Sequence, residues 1–134
     1  MAKKSFFYHL PWIGWLILIT VLCITPGDKL PKIEWQLITI STFAHFSMYF
    51  GLSALMLWGI YKAKKNTVSK FLNLSDFWLY IMVISIGISY GYLIELIQGN
   101  FIYQRYYDTE DIIVNGIGTI FGVLGYILIG KKLV

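Results

Sequence analysis

Residues 90–122, YGYLIELIQGNFIYQRYYDTEDIIVNGIGTIFG, consist of two apolar segments joined by a short polar link. The polar residues of interest in this stretch are Glu95, Gln98, Arg105, Asp108, Asp111 and Asn115. Charged side chains next to lipid are costly, and inside membrane helices they usually have a partner or a function. The stretch therefore predicts a polar site that is carried by two apolar helices and the link between them.

The composition of the whole chain indicates an integral membrane protein. Its 134 residues are 57% hydrophobic and only 13% charged, whereas roughly a quarter of the residues in a soluble globular protein are charged. The net charge of +4 comes without a basic helix or an aromatic stacking platform, so we expect no binding of nucleic acid. The single Cys23 excludes a disulfide or a cysteine-based metal site within one chain.

Four apolar segments have about the length that a bilayer requires, which is roughly 20 helical residues. They cover about residues 10–25, 43–61, 76–98 and 112–130. None of them shows the polar face of a helix in a soluble bundle. We therefore predict a single all-α domain over residues 1–134, an integral membrane four-helix bundle. The first segment lacks the cleavage site of a secretory signal and is expected to remain as a helix.

Lysine and arginine residues predict the orientation of the bundle. They are concentrated on three parts of the chain, with Lys3, Lys4, Lys62, Lys64, Lys65, Lys70, Lys131 and Lys132, whereas the other two loops hold only Lys29, Lys32 and Arg105. Loops rich in lysine and arginine remain in the cytoplasm. Both termini and the loop between the second and third segments are therefore expected in the cytoplasm, and the link between the third and fourth segments is expected outside the membrane.

This orientation predicts that three segments bring polar side chains to the outer half of the membrane. His45 and Tyr49 lie in the first turns of the second segment, Glu95 lies near the end of the third, and Asn115 lies near the start of the fourth. We expect them to form one site that faces the outside or the periplasm. The candidate ligand-binding residues are His45, Tyr49, Glu95, Gln98, Arg105, Asp108, Asp111 and Asn115.

Pairs of glycine residues predict close contact between the third and fourth segments. Gly87 and Gly91 are four residues apart in the third segment, as are Gly118 and Gly122 in the fourth. Small residues at this spacing allow two membrane helices to approach closely. We expect these two helices to form a tight hairpin.

The sequence contains no complete catalytic signature. It has no HExxH pattern, no glycine loop for phosphate and no GxSxG pattern. His45, Glu95 and Asp111 are candidates for acid–base catalysis or for metal binding if they meet in the fold, but their spacing does not establish that. We therefore assign neither a metal nor a cofactor from the sequence. Asp108 also has a structural explanation as a helix N-cap, and Asn115 has one as a helix-packing hydrogen bond.

The order of these residues resembles the VanZ-like family of small bacterial membrane proteins. The matching residues are His45-Phe46 with Tyr49 and Leu52, then Tyr90-Gly91, Glu95, Gln98, Arg105, Asp111 and Asn115, followed by Gly118 and Gly122. The resemblance implies a multi-pass protein of the bacterial cytoplasmic membrane. It also implies an association with resistance to teicoplanin and related lipoglycopeptides, which target the lipid-linked cell-wall precursor at the outer membrane surface.

Three functions are consistent with the sequence. In the first, the site binds a lipid headgroup or a lipid-linked peptidoglycan precursor, and Arg105 holds a phosphate. In the second, the protein is an intramembrane enzyme acting on such a lipid, with Glu95 as general base and His45 and Asp111 as acid or metal ligands. In the third, the polar residues only hold the helices together. The sequence does not indicate an oligomeric state.

Overall fold

The computed structural model of the protein describes residues 2–29, 37–66 and 74–134. This part is helical and contains no β-strand, which confirms the all-α prediction. The helices are α1 (Ala2–Phe7), α2 (Leu10–Ile24), α3 (Leu37–Asn66), α4 (Asp76–Phe101) and α5 (Thr109–Leu128), with short 3-10 turns at Gly27–Lys29 and Gly130–Leu133. Lys32 and Lys70, which contributed to the predicted orientation, lie outside the described residues.

Three of these helices are long and apolar enough to cross a membrane. They are Ser41–Asn66 of α3, the whole of α4 and the whole of α5. Helix α2 has 15 residues and is about 22 Å long at about 1.5 Å per residue, which is less than the roughly 30 Å of a hydrocarbon core. Three of the four predicted segments are therefore helices that could cross a membrane, which is consistent with a helical membrane protein, and the first segment is a shorter apolar helix.

The distribution of side chains is typical of a membrane bundle. Large apolar side chains such as Ile17, Leu93 and Leu128 are about half exposed or more on the outside of the bundle. The buried polar side chains are His45, Ser53, Glu95, Gln98, Asn115 and Thr119. An apolar outer surface of this extent is compatible with lipid rather than with water.

Two glycines of α4 allow α5 to pack closely against it. Gly87 lies against the side chain of Thr119, and a β-carbon added at Gly87 would be 2.5 Å from Thr119 Cγ2. A β-carbon added at Gly91 would be 3.0 Å from Asn115 Cβ. The close approach of α4 and α5 therefore agrees with the expected hairpin.

The glycine pair of α5 serves a different contact. A β-carbon added at Gly118 would be 2.5 Å from the backbone oxygen of Phe46, and one added at Gly122 would collide with Ser53 Oγ and with the Phe50 carbonyl. Gly118 and Gly122 therefore face α3, not α4. The packing of α3 on α5 is the most extensive helix contact in the described part of the chain.

The two ends of the bundle differ in chemistry. At one end Lys131 Nζ lies 2.6 Å from Asp76 Oδ2, and Lys65 Nζ donates to the Val134 backbone oxygen at 2.6 Å. The hydrogen bond to Asp76 raises the pKa of Lys131, so that this lysine is charged at neutral pH. The opposite end contains the C-termini of α2 and α4 and the N-terminus of α5, together with the polar residues predicted as the site.

Candidate functional site

His45, Asp111 and Asn115 form the centre of the candidate site. His45 belongs to α3 and is only 7% exposed. Its Nε2 lies 3.4 Å from Asp111 Oδ2, and its Nδ1 lies 3.1 Å from Asn115 Oδ1. Asp111 and Asn115 are one turn apart on α5 and so share a face of that helix. Because an amide oxygen can only accept, the contact with Asn115 Oδ1 is a hydrogen bond in the tautomer with a proton on Nδ1, in which Nε2 faces Asp111.

Glu95 of α4 lies beside this pair. Its side chain is fully buried, with 0% exposed area. Oε2 accepts a hydrogen bond from the backbone N–H of Asp108 at 3.3 Å, whereas Oε1 has no hydrogen-bond partner among the described residues. Three potential metal-ligand atoms lie within 4.8 Å of one another, one each from His45, Glu95 and Asp111. The fold thus brings together the three residues that were candidates for catalysis or metal binding on the condition that they meet.

Two further buried polar atoms near this cluster have no partner in the described part of the chain. They are the Tyr49 hydroxyl and Asn115 Nδ2. Both residues pack against Gly91, since a β-carbon there would be 3.3 Å from Asn115 Nδ2 and 3.3 Å from Tyr49 Cε1. Tyr49 Oη and Asn115 Nδ2 are therefore available as hydrogen-bond donors inside the bundle.

Gln98 and Arg105 bind the C-terminus of α2. Gln98 Nε2 donates to the Cys23 carbonyl at 3.0 Å. Arg105 donates from Nη2 to the Leu22 carbonyl at 3.2 Å and from Nε to the Thr25 carbonyl at 3.3 Å. The last carbonyls of a helix have no partner within the helix, and unpaired carbonyls are costly next to lipid. These two side chains therefore complete the end of α2 and hold it against α4 and the link.

Arg105 makes no ion pair with an acidic side chain in the described ranges. Its Nη1 has no hydrogen-bond partner among those residues, and its charge acts on the Glu95 and Asp111 carboxylates from a longer distance. Two of its three nitrogens are thus used by the backbone of α2. The binding of a phosphate by Arg105 stays a prediction. Nη1 is the nitrogen of this side chain that is left to donate to a phosphate.

Asp108 is the N-cap of α5. Its carboxylate accepts a hydrogen bond from the backbone N–H of Glu110 at 2.8 Å, and an oxygen at this position satisfies one of the free N–H groups of a helix start. Its own N–H donates to Glu95. Asp108 therefore reaches the site through its backbone, and its side chain has the structural function.

The contribution of α2 to this end of the bundle was not among the predictions. A usable signal was present, because Pro26-Gly27 directly follows the apolar segment and so leaves its last carbonyls without a continuing helix. Donors from elsewhere in the chain were therefore required. The fold supplies them from Gln98 and Arg105.

The link between α4 and α5 lies against the turn that follows α2. The Gly27 N–H donates to the Tyr103 carbonyl at 3.1 Å. The aromatic side chains of Phe101, Tyr103 and Tyr106 are mostly exposed on this link. Exposed aromatic residues of this kind are enriched at membrane–water interfaces.

Comparison with known proteins identifies the family. Searches of curated proteins and of solved structures gave no match to this chain. A family model described as VanZ/LLP1 matches residues 5–130. This range includes all of α2 to α5 and every candidate site residue, together with the residues that resemble VanZ-like proteins in order and spacing. The resemblance is therefore confirmed, and the chain belongs to the VanZ/LLP1 family.

Proposed function

We propose that the protein binds the polar headgroup of a membrane lipid or of a lipid-linked cell-wall precursor at the cluster of His45, Glu95 and Asp111. The observation that carries this proposal is Glu95, which is fully buried and yet leaves Oε1 without a partner. Leaving a buried polar group unpaired costs about 1–3 kcal/mol, and more for a charged group. A carboxylate that only joined helices would be expected to pair both oxygens, so a bound molecule is the natural source of the missing donor.

The unpaired atoms suit a headgroup with mixed polarity. Glu95 Oε1 requires a donor, such as a hydroxyl or an amine, whereas Tyr49 Oη and Asn115 Nδ2 can donate to a phosphate or carbonyl oxygen. Arg105 Nη1 adds a charged donor nearby. Lipid-linked cell-wall precursors carry both kinds of group.

The depth of the cluster supports a ligand that enters from the membrane surface. Asp111 has 18% of its side chain exposed, while His45 has 8%, so the cluster opens at the end of the bundle through Asp111. The exposed aromatic residues of the link are suited to the headgroup region. With the orientation predicted from the lysines, this opening faces the outside of the inner membrane.

Binding of a lipid-linked peptidoglycan precursor, whose headgroup carries hydroxyl and amine donors beside its diphosphate, to the protein in lipid nanodiscs tests the proposal. We expect Glu95→Gln to weaken binding about 10-fold or more, as expected for a lost hydrogen bond to a charged group of about 1.5–3 kcal/mol. Glu110→Gln is the matched control, because Glu110 is exposed on the same end and is not part of the cluster. Equal binding by both variants and by the unmodified protein would overturn the proposal.

Protection of cells against a lipoglycopeptide provides the cellular test that the family resemblance suggests. We expect Glu95→Gln and Arg105→Ala to abolish protection at unchanged protein level, and Glu110→Gln to retain it. Full protection by the Glu95→Gln and Arg105→Ala proteins would contradict a role of this site in resistance.

An intramembrane enzyme is the second candidate, because His45, Glu95 and Asp111 place a base and two further titratable groups within 4.8 Å. In that case Glu95 is the general base, and His45 and Asp111 are the acid or metal ligands. The enzyme hypothesis predicts release of product from a lipid-linked substrate, and its loss in Glu95→Gln even when substrate is saturating. Binding without any turnover favours the binding function instead.

A further inference from the structure

We propose that His45, Glu95 and Asp111 bind one divalent transition-metal ion, with zinc as the closest fit. The three residues come from α3, α4 and α5, and one ligand atom of each lies within 4.8 Å of the others. His45 Nε2 and Asp111 Oδ2 are 3.4 Å apart. Two ligands that are about 2.0–2.1 Å from zinc in tetrahedral geometry lie about 3.3–3.4 Å from each other. This pair is therefore already at the separation that the ion requires.

The hydrogen bond between His45 and Asn115 makes the imidazole suitable as a ligand. Asn115 Oδ1 lies 3.1 Å from Nδ1 and favours the tautomer with a proton on that nitrogen, in which the lone pair of Nε2 faces Asp111. Metal-binding histidines usually donate their second ring N–H to an oxygen in this way. Two acceptor atoms, Nε2 and Oδ2, that face each other at 3.4 Å repel unless a cation lies between them.

Glu95 provides a second, independent observation at this cluster. A proton on His45 Nε2 would satisfy the contact with Asp111 but would leave Glu95 Oε1 unpaired. A metal ion between the three groups satisfies both. Glu95 is fully buried, and its ligand atom lies within 4.8 Å of those of His45 and Asp111.

The donor set and its surroundings favour a zinc-like ion. One imidazole and two carboxylates form a mixed nitrogen and oxygen site, which suits zinc and neighbouring first-row metals. Three protein ligands leave a fourth position open for water or for a ligand atom. This last step rests on the proposed function: with the ion bound, the metal satisfies Glu95 Oε1, and the headgroup is held through a phosphate oxygen on the ion instead of through a donor to Glu95.

Zinc analysis of the purified full-length protein in detergent tests the site. The protein is incubated with zinc, freed of unbound ion by desalting, and analysed by mass spectrometry for metal per chain. We expect one zinc ion per chain in the unmodified protein, and its loss in His45→Gln and Glu95→Gln. His9→Gln and Glu110→Gln are the matched controls and are expected to retain the ion. Equal zinc in Glu95→Gln and in the unmodified protein, or none in the unmodified protein, would overturn the proposal.

Cobalt binding to the unmodified protein gives a second measurement that needs no variant to fold. We expect a visible absorption band of low-coordinate cobalt, which disappears when zinc displaces the cobalt. As a separate measurement, we expect Asn115→Ala to weaken zinc affinity about 10- to 100-fold, as is typical when a partner of a ligating histidine is lost. An octahedral, solvated cobalt spectrum would reject the site.

The metal inference and the proposed function fail in different experiments. Zinc loading is measured without any lipid ligand, so an absence of zinc rejects the metal site and leaves headgroup binding to be tested with the lipid-linked peptidoglycan precursor. Conversely, a protein that binds zinc but not this precursor retains the metal site and loses the headgroup function.

Discussion

Tyr49 has a buried hydroxyl whose role can be tested by comparison with the neighbouring Tyr90. Its ring is fully buried in α3, and its hydroxyl has no partner among the described residues. Tyr90, which stacks near it at 5.9 Å between ring centroids, instead shares a 2.8 Å hydrogen bond with Thr20 Oγ1. Two neighbouring tyrosines are therefore expected to respond differently to loss of the hydroxyl.

We predict that Tyr49→Phe leaves the free energy of unfolding unchanged or raises it, because the variant removes an unpaired buried group that costs about 1–3 kcal/mol. Tyr90→Phe is the matched control and is expected to lose about 0.5–1.5 kcal/mol with its hydrogen bond. Thermal unfolding in detergent measures both. A larger loss in Tyr49→Phe than in Tyr90→Phe would show that the Tyr49 hydroxyl is structural.

Among the helices, α2 depends most on side chains from elsewhere in the chain. Its terminal carbonyls at Leu22, Cys23 and Thr25 accept hydrogen bonds from Arg105 and Gln98. Because α2 is short, its end would otherwise leave backbone oxygens unpaired near lipid. The position of α2 is therefore controlled by residues about 75 to 83 positions further along the chain.

We predict that Gln98→Ala loosens the end of α2 and exposes Cys23, which is 3% exposed in the intact fold. Modification of this single cysteine by a maleimide should become about 5- to 30-fold faster, which corresponds to a loss of about 1–2 kcal/mol of local stability. Asn100→Ala is the matched control, because in the described part of the chain its amide donates to the Leu96 carbonyl of its own helix and to no other element. Equal labelling rates in both variants would mean that Gln98 does not hold α2.

The glycines of α5 allow a test of the contact between α5 and α3. We predict that Gly122→Ala loses about 1–3 kcal/mol, because its β-carbon would overlap with Ser53 and the Phe50 carbonyl of α3. Gly116→Ala is the control on the same helix, since its β-carbon would lie at an ordinary 3.7 Å from Ile88 Cγ1. That variant should be neutral or up to about 1 kcal/mol more stable. Thermal unfolding in detergent should rank the two variants in this order.

At the scale of the whole molecule, the two ends of the bundle predict one orientation in the membrane. The end with Lys64, Lys65 and Lys131 is basic, and the opposite end carries the acidic cluster. Lysine-rich ends remain in the cytoplasm. The candidate site is therefore expected to face outwards.

Cysteine labelling in intact cells tests this orientation. In a chain with Cys23→Ala, we predict that Glu110→Cys reacts with a membrane-impermeant maleimide in intact cells. Asn66→Cys, which lies at the opposite end, should react only after permeabilisation. Both positions are exposed in the fold, so a difference between them reports the side of the membrane. The reverse pattern would invert the topology and place the site in the cytoplasm.

The sequence alone was sufficient for the class of protein, the family and the residues worth testing. Composition identifies a membrane protein because a chain with so few charges cannot cover a soluble surface. The polar residues could be selected because each is costly in an apolar helix. Asp108 and Thr109 were both possible N-caps because they precede an apolar segment, and the fold has Asp108 in that position.

Tertiary structure decided which of these residues meet. Helices that are apolar on every side carry no stripe that shows which face is buried, so their rotation cannot be predicted from periodicity. For that reason the sequence could not show that Gly118 and Gly122 face α3, or that Gln98 and Arg105 reach α2. The meeting of His45 with Asp111 and Asn115 joins positions 66 and 70 residues apart, and only the packing of α3 on α5 brings them together.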